Sequence, residues 1–173
     1  MAVNGFNIDD FKSNYQDLSR QYLFMIMVNF PGAAGAQFNA DNTKYLISSS
    51  SMPTSTITEA EVNWQGMIYP LGTTQEFEDW TVTFRLDSAA QLRRDFLNWH
   101  KAIHNPVTNV HGSPPDYMAD QEIWLLNTQG NIVMQMRLVS AWPSSIGELT
   151  LDYSAKEIST FDVTWKYVYH EEV

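Results

Sequence analysis

No cysteine occurs in this chain, which excludes disulfide frameworks, cysteine zinc sites and thiol nucleophiles together. No apolar run approaches the roughly 20 residues that a membrane-spanning helix requires. The longest, Tyr22 to Val28, suits a strand buried on both faces. Met1 to Arg20 has neither the basic start nor the apolar stretch of an export signal, so assembly in a reducing cytoplasm without membrane anchoring is expected. Cations are scarce as well. Ten Lys and Arg against twenty Asp and Glu give a net charge of −10, which argues against binding nucleic acid by neutralising phosphates. Neither a glycine-rich phosphate loop nor a Gly-x-Ser-x-Gly elbow is present.

What is present points to a β-rich core. Hydrophobic residues make up 44% of the 173 and aromatics 13%, enough to exclude disorder and to form one domain without a metal or disulfide staple. Trp80, Val82, Phe84 and Leu86 alternate with Thr81, Thr83 and Arg85, the pattern of a strand with one face on a core. The period then changes. Leu92, Phe96, Trp99 and Ile103 fall on one stripe of a helix, and Ser88 with Gln91 reads as its capping box.

Residues 1–19 read as a polar N-terminal arm or short helix with scattered aromatics at Phe6, Phe11 and Tyr15. Arg20 to Phe30 reads as a central strand, Gly32 to Asn42 as a small-residue loop, and Lys44 to Met52 as a strand that Pro53 ends. Ser48 to Glu76 is a long, polar, β-prone excursion with little core of its own, and such a segment needs a partner to lie against. His104 to Asp120 reads as irregular. Gln121 to Leu126 and Asn131 to Trp142 form a hairpin about Asn127 to Gly130. A short strand, Glu148 to Tyr153, and a long one, Thr160 to Tyr169, complete about eight strands and one helix. The expected fold is mainly β, an antiparallel sandwich or barrel with one flanking helix. Its strands lack the Lys and Pro devices that protect open edges, so either the sheet closes on itself or neighbouring subunits close it.

Three strings in order carry a resemblance. They are Phe77-x-Asp79-Trp80-Thr81-Val82 with Arg93-x-x-Phe96-x-x-Trp99, then Trp142-Pro143-x-x-Ile146-Gly147-Glu148-x-x-Leu151-Asp152, then Glu157-Ile158-x-Thr160-Phe161-x-Val163-Thr164. Together they resemble the tail tube proteins of contractile-tailed bacteriophages over Tyr15 to Tyr169. The resemblance implies a subunit of the virion tail, assembled in the host cytoplasm without a cofactor. Six copies would form a ring, and rings would stack into a tube whose lumen passes DNA without sequence-specific binding. It implies a tail sheath protein outside, a tape measure protein within, and baseplate and tail terminator proteins at the ends. Type VI secretion and bacteriocin tubes share the fold. Residues 48–76 would form the extended hairpin towards the next ring, with Ser48, Ser51, Pro53, Thr56, Trp64, Met67 and Tyr69 as candidate contacts. The roles of 32–39 and of the last four residues stay open.

Other chemistry is weighed against packing. Carboxylates pair at Glu59 and Glu61, Glu76 and Glu78, and Asp120 and Glu122, but solvated strand faces explain them as well as a glycosidase pair does. His100 and His104 have a chelating spacing on the helix without an acidic third ligand nearby, which favours a helix-end role. The six Trp residues suit core and interface packing better than a sugar platform. From strand phase, Glu59, Glu61, Asp152 and Asp162 are the candidate lumen-facing carboxylates. The rival function is a soluble β-sandwich binding module, for example for carbohydrate. No catalytic, metal or cofactor residue is assigned.

Overall fold

The computed structural model describes residues 8–14 and 19–173. The expected arm therefore lies partly outside the described residues, Phe6 and Tyr15 included. Its described part is a helix, α1 (Ile8–Asn14). Seven antiparallel strands form one sheet, in which β1 (Phe24–Met27), β8 (Ala119–Leu126), β9 (Ile132–Ile146), β10 (Thr160–Lys166), β5 (Trp80–Arg85) and β2 (Ile47–Ser50) lie side by side in that order. The seventh, β11 (Tyr169–Glu172), pairs with the first half of β9. Two further hairpins stand apart from this sheet: β3 (Ser55–Trp64) with β4 (Met67–Phe77), and the short β6 (His104–Asn105) with β7 (Val110–His111).

Strand β9 belongs to both halves of the sheet and bends between them. At Ser140 the register against β8 gains one residue, and Ser140 takes φ 55°. The Asp120 carboxylate accepts the Ser140 N–H at 2.9 Å, meeting a donor that the bulge removes from the ladder. A second irregularity opposite Thr164 and Trp165 lets the strand run through Pro143 to Ile146, because a bulge tolerates the missing N–H. The curved sheet encloses one core with α3 (Gln91–Ile103) packed on it. Trp80, Val82, Phe84, Leu92, Phe96 and Trp99 are all fully buried, as both periods predict. Trp99 meets Trp165 edge-on with ring centroids 5.3 Å apart, and Phe96 meets it at 5.8 Å.

Several expectations are corrected. The α3 N-terminus is capped by the Asp87 carboxylate, which accepts the N–H groups of Gln91 at 2.9 Å and Leu92 at 3.2 Å. Ser88 is exposed, and Gln91 donates instead to Asp95 Oδ1. Residues 20–30 yield only a four-residue strand, and β1 ends the sheet rather than lying at its centre. Lys44 to Leu46 are helical. Asn39 accepts the Asp41 N–H and starts α2 (Ala40–Leu46), so the strand begins only at Ile47. Glu148 to Tyr153 is no strand, since no neighbour offers it a ladder. The last strand breaks at Tyr167 and Val168. Residues 104–120 contain β6, β7 and a short helix, α4 (Pro114–Tyr117).

The segment 32–39 gains a role. Asp95 is buried on α3, and its Oδ2 accepts the N–H groups of Gln37 at 3.0 Å and Phe38 at 2.7 Å. These bonds tie the loop to the helix. Asp87→Ala should lower the unfolding free energy by about 1–2 kcal/mol, while Ser88→Ala should stay within about 0.5 kcal/mol. Urea denaturation of the two variants checks this.

Candidate functional site

The feature that demands explanation is the β3–β4 hairpin. Gln65 and Gly66 take positive φ values, 47° and 82°, as a two-residue turn of the type that matches strand twist requires. From Ser55 to Glu76 every residue except Thr58 is exposed. At about 3.3 Å per residue, the ten residues of β3 make an arm roughly 33 Å long.

The register assigns its two faces. Trp64 pairs with Met67, Val62 with Tyr69 and Ala60 with Leu71, so one face is apolar from tip to middle. Glu61 opposite Pro70 and Glu59 opposite Gly72 share the other face with Ile57 and Ile68. Trp64 is 69% exposed and Met67 73%. No core holds the arm, so polar pairs stiffen it. Thr58 and Thr73 hydroxyls meet at 3.2 Å and bond each other's strand across an irregularity. Gln75 reaches Ser55 Oγ at 3.1 Å. At the foot, Phe77 packs on Tyr167 and His170, and Trp80 Nε1 donates to the Ser51 carbonyl at 2.8 Å.

The predicted contact residues separate accordingly. Trp64, Met67 and Tyr69 share the apolar face, and Thr56 lies nearer the foot on the same parity. Ser48 is exposed on β2, and Ser51 is exposed beside Trp80. Pro53 is buried within the subunit, which removes it from any outward-facing set. Ile57, Val62, Ile68 and Leu71 are further exposed apolar side chains of the arm that the sequence reading did not single out. Alternation through 60–71 was the available signal, masked by the flanking threonines.

The carboxylates divide as well. Glu59 and Glu61 share the hairpin's second face. Asp162 lies on the outward face of β10, opposite Thr83, whose hydroxyl donates to it at 2.7 Å. Ser49, Thr81 and Thr164 lie on the same outward face, which also carries Arg85 and Lys166, the latter 2.7 Å from Asp79. Asp152 is in a loop and not in a strand, so its placement by strand phase fails. Its Oδ1 accepts the Ser154 N–H and hydroxyl, and these bonds hold its carboxyl below the usual range.

A second exposed segment lies elsewhere. Residues 150–158 are all exposed, with Leu151 at 81%, Ile158 at 70% and Tyr153 entirely in solvent. The two histidines do not share the helix, since α3 ends at Ile103 and His104 opens β6, and they have separate partners: His100 Nε2 lies 3.0 Å from the Pro143 carbonyl, and His104 bonds Asn109. Among the described residues no group of three metal-ligating side chains gathers.

An exposed arm, open sheet ends and a helix-covered curved sheet match a known design. Residues 19–173 fit the family described as phage tail tube protein. The chain belongs to this family. Tail tube protein gp19 of Enterobacteria phage T4 is 25% identical over 169 residues, 95% of this chain and 99% of its own length. Among solved structures, the tube-terminating cap of the anti-feeding prophage superposes with a TM-score of 0.67 at 16% identity, covering 100% of this chain and 99% of that one. The sheath/tube terminator of an extracellular contractile injection system follows at 0.66 and 14%, covering 91% and 98%. The fold is that of contractile-system tube proteins, and as a tail tube protein of contractile-tailed phages the chain is a structural component of the virion tail. Family membership displaces the carbohydrate-binding module.

Two measurements test this description of the subunit. Trp165→Ala should cost about 3–5 kcal/mol, whereas Trp64→Ser should stay within about 0.5 kcal/mol, in denaturation of the isolated chain. Burial lowers the His100 and His170 pKa values from 6.5. Their neutral forms are therefore favoured by folding. Their contribution should be complete above pH 6.5 and lost progressively as pH falls from there through the lowered values. Thermal melts across that window, repeated on His100→Gln, check the sign.

Proposed function

We propose that the chain assembles as hexameric rings, stacked into a hollow tube through which genomic DNA leaves during ejection. The observation that carries this reading is unmet bonding capacity at two places. Among the described residues, strands β1 and β2 end the sheet order with one side each unpaired, and nothing covers the apolar face of the hairpin. Ring closure pairs edges and removes the aggregation hazard they pose. Each Trp or Met buried at the arm contributes about 1.5–3 kcal/mol, so six arms per ring would make stacking strongly cooperative.

In this reading the outward face of β2, β5 and β10 lines the lumen, with Asp162 as its carboxylate, Lys166 held by Asp79 and Arg85 as its remaining cation, while Glu59 and Glu61 extend the acidic surface along the arm. The sheath surrounds the tube, the tape measure protein fills it before ejection, and baseplate and terminator proteins close its ends. The tube performs no chemistry. One charge pair 10 Å apart in water is worth only about 0.4 kcal/mol, and salt screens it over about 8 Å. Repetition over many subunits turns that small repulsion into a wall to which DNA does not adhere.

Negative-stain microscopy of the purified chain should show sixfold rings and tubes. A chain that stays monomeric at all concentrations overturns the reading. Phage carrying Asp162→Lys should assemble tails but eject DNA severalfold more slowly in low salt, with recovery as salt rises. Unchanged ejection would remove Asp162 from the lumen.

A further inference from the structure

The hairpin and the 147–159 loop leave the same pair of strands at opposite ends. In the β5–β10 ladder Trp80 stands opposite Trp165 at one end, and Arg85 opposite Thr160 at the other. Ser55 and Phe77 enter the arm beside Trp80, with the Glu78 N–H bonded to the Thr54 carbonyl. The loop joins Ile146 to Thr160, and its Ser159 carbonyl accepts the Leu86 N–H at 2.8 Å. The two exits are therefore separated by the strand's length, about 17 Å for five residues. Both segments expose large apolar side chains that no other described residue covers.

We propose that the 147–159 loop is the receptor for the arm: the apolar face at Trp64, Met67 and Tyr69 of one copy seats on Leu151, Tyr153 and Ile158 of the next. The proposal rests on the stacked-tube reading and names the surface that the arm meets. A head-to-tail stack brings unlike ends together, and such a contact propagates as an open filament. The shallow groove of Leu97, His100, Trp142 and Pro143 is a poorer receptor. Pro143 is in register with Trp165, at the end from which the arm itself departs. The area suffices. At roughly 150–250 Å² for a large aromatic side chain, the exposures of these side chains amount to roughly 500 Å² on each partner. Fully buried, they reach the roughly 1,000 Å² that a biological interface must clear, and the neighbouring Val62 and Leu71 of the arm add to it.

Charge does not drive this contact. The stretch Tyr45 to Phe84 carries five carboxylates and no Lys, Arg or His, and residues 147–159 carry three carboxylates against Lys156. The attraction is apolar and works against like charge, so added salt strengthens it.

The absence of cysteine makes the test clean. Copies bearing Trp64→Cys and copies bearing Tyr153→Cys are mixed, assembled and oxidised. A disulfide dimer that forms only in tubes is expected. The double variant Leu151→Ser, Tyr153→Ser should raise the concentration needed for assembly at least tenfold, with an unchanged melting temperature. Rising salt should lower that concentration for the unaltered chain. Tubes that form without the disulfide, or that link Trp64→Cys to Leu97→Cys instead, overturn the receptor and leave the tube reading standing. An unaltered chain that forms no tubes overturns both.

Discussion

The arrangement depends on the clamp between α3 and the β5–β10 pair, where Phe96 and Trp99 close on Trp165 and Phe84. These contacts seat the helix against the curved sheet, and the three elements bury nine aromatic or aliphatic side chains, among them Trp80, Phe84, Phe96, Trp99, Phe161 and Trp165, that would otherwise face water. They also fix β5 and β10 in register. That register sets where everything else leaves the body: the arm beyond Trp80, the 147–159 loop beyond Arg85. Packing inside the subunit thus determines the geometry available outside it.

A division of labour follows. Apart from its sheet edges, the body meets its main polar demands internally: Asp87 caps the helix, Asp95 fastens the 32–39 loop, and the buried Gln121 amide bonds the main chain of Asn29 and Ala119. The arm and the loop do not. Their apolar side chains are exposed, and their order comes from local devices such as the threonine pair at Thr58 and Thr73 and the Asp152 turn. A monomer built for solitary life would have little reason to keep Trp64, Met67 and Tyr69 in water. The acidity has a matching logic in the proposed tube, because like charge would keep subunits soluble until apolar contact is made.

Much of the body was legible beforehand. Alternation from Trp80 to Leu86, the helical stripe from Leu92 to Ile103, and the Asn127–Gly130 turn all match, because period and turn chemistry are local. The misreadings share a cause. Ser88 fits the capping pattern, but Asp87 is nearer the first free N–H groups. Apolar residues on both sides of 22–28 suggest a central strand, yet Met25 and Met27 are only half-covered and β1 lies at the sheet's end. Glu148 to Tyr153 has strand composition and finds no ladder.

The functional surface divides the same way. By itself the sequence determined that the chain is β-rich, acidic, cysteine-free and of the tail tube kind, and that 48–76 has little core of its own, since composition and period need no neighbour to be read. Which arm residues share a face depended on register, where one irregularity at Thr58 resets the parity between strands. That Pro53 is inside and Asp152 off the strands, and that the arm and the 147–159 loop point to opposite ends, was decided only by the tertiary structure. Direction is a property of paired strands and cannot be carried by one strand alone.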